Sequence, residues 1–99
     1  MIEENAKDSL NLTFYLSYIS LNYQVLGQFD TSISYANKAI DMNQYLHFPY
    51  YISSVSLYFQ DRFDEAKRMI DQTETIAKVR DLKGDVLFDI YKHKGDVLQ

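Results

Sequence analysis

Leu26-Gly27-Gln28-Phe29-Asp30 reappears as Gln60-Asp61-Arg62-Phe63-Asp64, and a second step of the same size lands on Lys94-Gly95-Asp96-Val97. The step is about 34 residues, and a fixed period of roughly 20–50 residues marks a chain assembled from supersecondary units, each with an apolar face that only a neighbouring unit covers. The register puts Gly27, Asp61 and Gly95 in equivalent tight turns, with Phe29, Phe63 and Val97 just beyond them. Two steps in one register are hard to produce by chance.

Between the turns, apolar residues recur at three- and four-residue spacing, which predicts helices. Leu12, Leu16, Ile19, Tyr23 and Leu26 make one stripe, and Ile33, Ala36 and Ala39/Ile40 the next. Tyr50, Ser54, Leu57 and Asp61 mark a third face, Ala66, Ile70 and Thr73 a fourth, and Val86, Leu87 and Tyr91 a fifth. The predicted helices are 9–26, 30–43, 48–60, 63–79 and 82–94. Asp30 and Asp64 stand where new helices begin, suited to cap free N–H groups and to meet the positive end of the macrodipole. Pro49 falls in the first turn of the third helix, where its missing N–H costs nothing. Gly27 and Gly95 are read as helix ends. Short connections then make neighbouring helices antiparallel.

Leu16-x-x-Ile19-Ser20-x-x-Tyr23, Gly27-x-Phe29 and Ser32-Ile33-x-Tyr35-Ala36-x-Lys38-Ala39-Ile40 together resemble a complete tetratricopeptide repeat. Tyr50-x-x-Ser53-Ser54-x-x-Leu57, Asp61-x-Phe63 and Ala66 look like a second, weaker copy. Leu16 stands where the family favours an aromatic, Asp61 in place of the usual turn glycine and Thr73 in place of the second small alanine, and the usual proline after each second helix is missing. The resemblance covers about residues 12 to 99 and implies an all-α fold of antiparallel helix pairs stacked into a right-handed superhelix. Repeat one would span about 13–46 and repeat two about 47–80, with a third begun at 81–99. Small residues at Ser20, Ser54, Ser32 and Ala66 let paired backbones approach at the short end of the usual ~8–10 Å range.

Composition narrows the function. The chain has no cysteine, which removes disulfide scaffolds, thiolate metal sites and thiol nucleophiles. A net charge of −4 opposes phosphate backbones, and Lys67, Arg68, Lys78, Arg80 and Lys83 are interleaved with Asp71, Glu74, Asp81 and Asp85 rather than gathered in a basic patch. No direct nucleic-acid ligand is expected. The first eight residues lack the layout of a secretory signal, and no apolar run approaches the roughly 20 residues that cross a bilayer. A cytoplasmic protein is the expectation.

His47 and His93 are far from each other in sequence and have no cysteine to join, so they read as surface or interfacial imidazoles rather than metal ligands. Asp61, Asp64 and Glu65 cluster at a turn and the first turn of a helix, where capping explains them. Asn11-Leu12-Thr13 matches a glycosylation acceptor but lies inside a predicted helix. Lys83-Gly84-Asp85-Val86-Leu87 echoes in Lys94-Gly95-Asp96-Val97-Leu98; each copy has one glycine and follows no strand, unlike a phosphate loop. The expectation is no enzyme, no cofactor and no metal.

In the family this chain resembles, the first helix of each unit lines the concave surface. The resemblance places Phe14, Ser17, Tyr18, Leu21, Gln24 and Val25 there from unit one, and Phe48, Tyr51, Ile52, Val55, Tyr58 and Phe59 from unit two. The expected partner-binding set is Phe14, Tyr18, Leu21, Phe48, Tyr51, Ile52, Val55, Tyr58 and Phe59, a largely aromatic groove without the Lys, Arg and Asn of members that clamp an acidic C-terminus. Large exposed apolar patches are rare on monomers, so something should cover this one. Two occupants fit: an apolar protein or peptide, or another part of a longer chain or a second copy, in a structural or dimerisation role. Homo-oligomerisation is expected because the third unit has a first helix and a turn but no second helix. The Tyr-, Asn- and Ile-rich style resembles repeats of bacterial signalling proteins such as sensor kinases and peptide-responsive transcription regulators.

Overall fold

The computed structural model describes residues 2–98, and among these it contains five helices and no strand: α1 (Ile2–Val25), α2 (Phe29–Met42), α3 (His47–Phe59), α4 (Phe63–Val79) and α5 (Asp85–Leu98). The all-α expectation holds. α1 begins near Ile2 rather than at residue 9, so the polar start of the chain is helical as well.

The chain reverses between α1 and α2 because Gly27 takes φ +79°. Gln28 N–H then donates to Tyr23 O at 2.9 Å and Gly27 N–H to Gln24 O at 3.0 Å, which satisfies carbonyls the helix end would leave open. Asp61, at φ +61°, closes α3 the same way, with Arg62 N–H on Leu57 O and Asp61 N–H on Tyr58 O, both 3.0 Å. Aspartate reaches this left-handed region more readily than most side chains, which accounts for the missing glycine.

Each turn folds two helices into a hairpin tied by one serine. Ser20 Oγ donates to Ser32 O at 2.6 Å, and Ser54 Oγ donates to Ala66 O at 2.7 Å. Ser20 and Ser54 occupy equivalent positions one period apart, as do Ser32 and Ala66. The first step of the period is thus repeated in backbone conformation, turn bonds and the inter-helix bond. All four residues are fully buried, so helix backbones meet where the side chains are smallest.

The second step fails. α4 has 17 residues where α2 has 14, and this extra length carries α5 forward. Gln24 touches Ser56, whereas Tyr58, its counterpart one period on, touches His93 rather than Ile90. The partner has slipped by three positions. Gly95 consequently lies within α5 and does not end it, and the left-handed glycine of this region is Gly84, at φ +71°, just before α5.

The aspartates also differ from expectation. Neither α2 nor α4 has a side-chain cap; Asp30 and Asp64 lie in the first turns, favourably placed for the macrodipole, and Asp30 Oδ1 instead accepts from Gln60 Nε2 at 2.7 Å.

Two apolar clusters hold the second half together. Leu57, Ala66 and Val97 pack with Ile33, Tyr58 and Met69, and Ile70, Ala77 and Ile90 pack with Tyr51, Leu82, Val86 and Leu87. Burying a side chain such as Ile70 contributes about 1.5–3 kcal/mol. α5 is bound further by Lys94, whose ammonium lies 3.1 Å from Glu74 and 3.5 Å from Asp71 of α4.

Between α1, α2 and α3 the core is polar. Ser20 spends its only hydroxyl hydrogen on the Ser32 carbonyl, so the 3.1 Å contact between the two hydroxyls must have Ser32 as donor. Ser56 must then donate to Ser32 at 2.9 Å, and Gln24 Nε2 donates to Ser56 Oγ at 2.9 Å and to Ile52 O at 2.8 Å. The bonds run in one direction through three helices.

Candidate functional site

α3 is enclosed on most sides. Tyr50, Ser54 and Leu57 are buried towards α4, and Ser56 towards α1 and α2. Phe48, Tyr51, Val55, Tyr58 and Phe59 remain on the open side, half-buried except for Phe59, which is 59% exposed. On α1, Tyr18 and Phe14 are exposed and Leu21 is half-buried. The two rows meet where Tyr18 sets its ring edge-to-face with Phe48, centroids 5.5 Å apart.

Ile52 does not belong to this row. It is fully buried, one helical turn from Ser56 and so on the same face, and its backbone carbonyl accepts the Gln24 amide of α1. Ser17 is also fully buried, bonded to Thr13 O at 2.7 Å, and Gln24 is half-buried in the serine relay; Val25 is exposed at the helix end.

Beyond α3 the open side continues as a cleft against α5. It consists of two adjoining recesses that share Tyr51 and Asp89: one of about 160 Å³, reaching Phe48, Val86 and Ile90, and one of about 240 Å³, reaching Val55, Tyr58, Phe59, Lys92, His93 and Asp96. A larger recess of about 320 Å³ lies elsewhere, between Tyr45 and α4, and brings together none of the expected partner-binding residues.

His93 is only 7% exposed: of the two expected settings, surface or interfacial, it takes the second, between α3 and α5. Its ring meets Tyr51 and Tyr58 edge-on at 5.8 and 5.7 Å. Its Nε2 lies 2.9 Å from Ser54 Oγ, whose hydrogen is already committed to Ala66 O, so Nε2 carries the proton and donates. Burial lowers the His93 pKa from the usual histidine value, against smaller upward pulls from Ser54 and Asp96. The Tyr51 phenol is pushed up, first by burial and then by Asp89 and Asp96.

The α5 residues of the cleft escaped sequence reasoning because the three-residue slip moves the third unit out of the register projected from the first two. Their signal was the spacing of Asp89, Lys92/His93 and Asp96 along one helical face. Among the described residues no three His, Asp or Glu gather as metal ligands, and no helix is long and apolar enough to cross a membrane.

No family model matches the chain, and no curated protein or solved structure does either. The open side of α1, α3 and α5 therefore has to be read from its own chemistry.

Proposed function

We propose that this chain is a tetratricopeptide-type repeat module that holds a polypeptide segment along the side formed by α1, α3 and α5. The observation that carries the reading is the continuity of that side: Tyr18, Phe48, Tyr51, Tyr58 and Phe59 form one aromatic tract across α1 and α3 that opens into the α3–α5 cleft. Aromatic anchors of this kind dominate binding energy, with truncation costing about 2 kcal/mol or more at true hot spots. The recurrence of the Ser20–Ser32 bond as Ser54–Ala66 supports the repeat reading, because it ties each hairpin at the crossing where the family keeps small residues. In this reading the superhelix is right-handed, and the module serves a larger cytoplasmic signalling protein of bacterial type, a sensor kinase or a peptide-responsive regulator.

Panning a random peptide library on the wild-type chain, then measuring the selected peptides against Tyr18→Ser/Phe59→Ser, tests the proposal. Loss of binding by at least tenfold supports it, and unchanged affinity overturns it. A second reading, self-association, is favoured by Phe88 and Tyr91, which stand 67% and 48% exposed on α5 beside Gly95. Light scattering at tens of micromolar tests it: a dimer that Phe88→Ser/Tyr91→Ser dissociates supports it, and a monomer excludes it.

A further inference from the structure

The α3–α5 cleft is not chemically neutral. Its α3 wall is aromatic, from Tyr51, Tyr58 and Phe59, while its α5 wall carries Asp89, His93 and Asp96. Among the described residues neither Asp89 nor Asp96 has an ion-pair partner, and the neighbouring cation Lys94 is engaged with Asp71 and Glu74 of α4. The His93 proton sits on Nε2 and is given to Ser54, which leaves Nδ1 the acceptor nitrogen of the ring. Lys92, also in the lining, is exposed, and the long stem of a lysine lets its charged head remain in water.

We infer that this cleft receives a basic side chain, arginine or lysine, of the bound polypeptide. The inference rests on the peptide-holding reading above and names the chemistry of one residue in that peptide. Two carboxylates and an imidazole lone pair are hydrogen-bond acceptors, and aromatic faces attract cations. A guanidinium satisfies both, because it stacks on a ring while its N–H groups fan out to several acceptors. The 160 Å³ recess next door, reached past Tyr51 and Asp89, is lined by Phe48, Val86 and Ile90 and suits an apolar side chain adjacent to the basic one.

The test is a titration of the isotopically labelled full chain with the capped tripeptides Leu-Arg-Leu and Leu-citrulline-Leu, followed by amide chemical shifts. Citrulline keeps the shape of arginine and removes its charge. The inference expects shifts on α3 and α5, at least fivefold tighter binding of the arginine peptide, and loss of that preference in Asp89→Asn/Asp96→Asn, both exposed positions whose change leaves the core intact. Equal affinity of the two peptides in the cleft overturns the inference while leaving the peptide-holding reading standing. A preference that survives in the double variant, shifts confined to other helices, or no shifts at millimolar peptide also overturn it.

Discussion

Replacing Ser32 with alanine removes the middle hydroxyl of the relay that runs from Gln24 through Ser56 and Ser32 to Ser20. Ser20 keeps its bond, since it donates to the backbone carbonyl of residue 32, but Ser56 Oγ loses the acceptor it now has at 2.9 Å. Ser56 is fully buried, and an unsatisfied buried hydroxyl costs about 1–3 kcal/mol. For a chain of this length the corresponding fall in Tm is roughly 5–15 °C. Ser56→Ala is milder, because Ser32 still donates to Ser20 and Gln24 still donates to Ile52 O. The double variant contains no stranded hydroxyl. It should therefore lose no more stability than Ser32→Ala alone, with a coupling of about 1 kcal/mol or more between the two sites. Urea unfolding of the four proteins, followed by circular dichroism, measures it. Additive losses within about 0.5 kcal/mol would show that the serines act as small packing residues and not as a directed chain.

Ser53 is buried but has no hydrogen-bond partner among the described residues, so Ser53→Ala should be neutral or stabilise by about 1 kcal/mol, in contrast to Ser32→Ala, in the same unfolding assay. Gly27→Val should destabilise by about 1–2 kcal/mol because a β-branched residue is forced to positive φ, and Asp61→Gly should raise the melting temperature by relaxing the equivalent turn. The folded-state pKa of His93 lies below the unfolded value of about 6.5, so the unfolded chain takes up the proton first; stability is full above that pH and falls as pH drops towards the folded pKa. Urea midpoints at pH 7.5 and pH 5 should differ accordingly, and His93→Gln, which can still donate to Ser54, should narrow the difference. Tyr18→Ser/Phe59→Ser should lower thermal stability less than Tyr51→Ala/Tyr58→Ala, since Tyr18 and Phe59 are more than half exposed and lose their contacts with Phe48 and Phe29, whereas the second pair removes the rings packed on His93.

What the sequence disclosed and what it withheld have physical reasons. The helices and the first step of the repeat were legible because apolar spacing and turn residues are local signals: Gly27 and Asp61 take the same left-handed conformation although only one is glycine. The second step was not, because Gly95 looks like a turn in sequence, while the greater length of α4 moves its position into a helix. The aromatic row of α1 and α3 was legible from one helix at a time. Ile52 was misplaced because a one-residue difference on a helix is about 100° of rotation, enough to exchange an open face for the core. His93 was invisible as a buried group, since its burial is made by Tyr51 and Tyr58 of α3, two helices back along the chain.

The most direct measurement of the central claim is an amide chemical-shift map of the labelled chain saturated with a library-selected peptide. The account predicts perturbations concentrated on α1, α3 and α5, including Tyr18, Phe48, Tyr51 and Phe59, with α2 and α4 nearly silent. Perturbations concentrated on α2 beyond Phe29, which stacks on Phe59, and on α4 would contradict it, because the partner would then lie away from the aromatic tract.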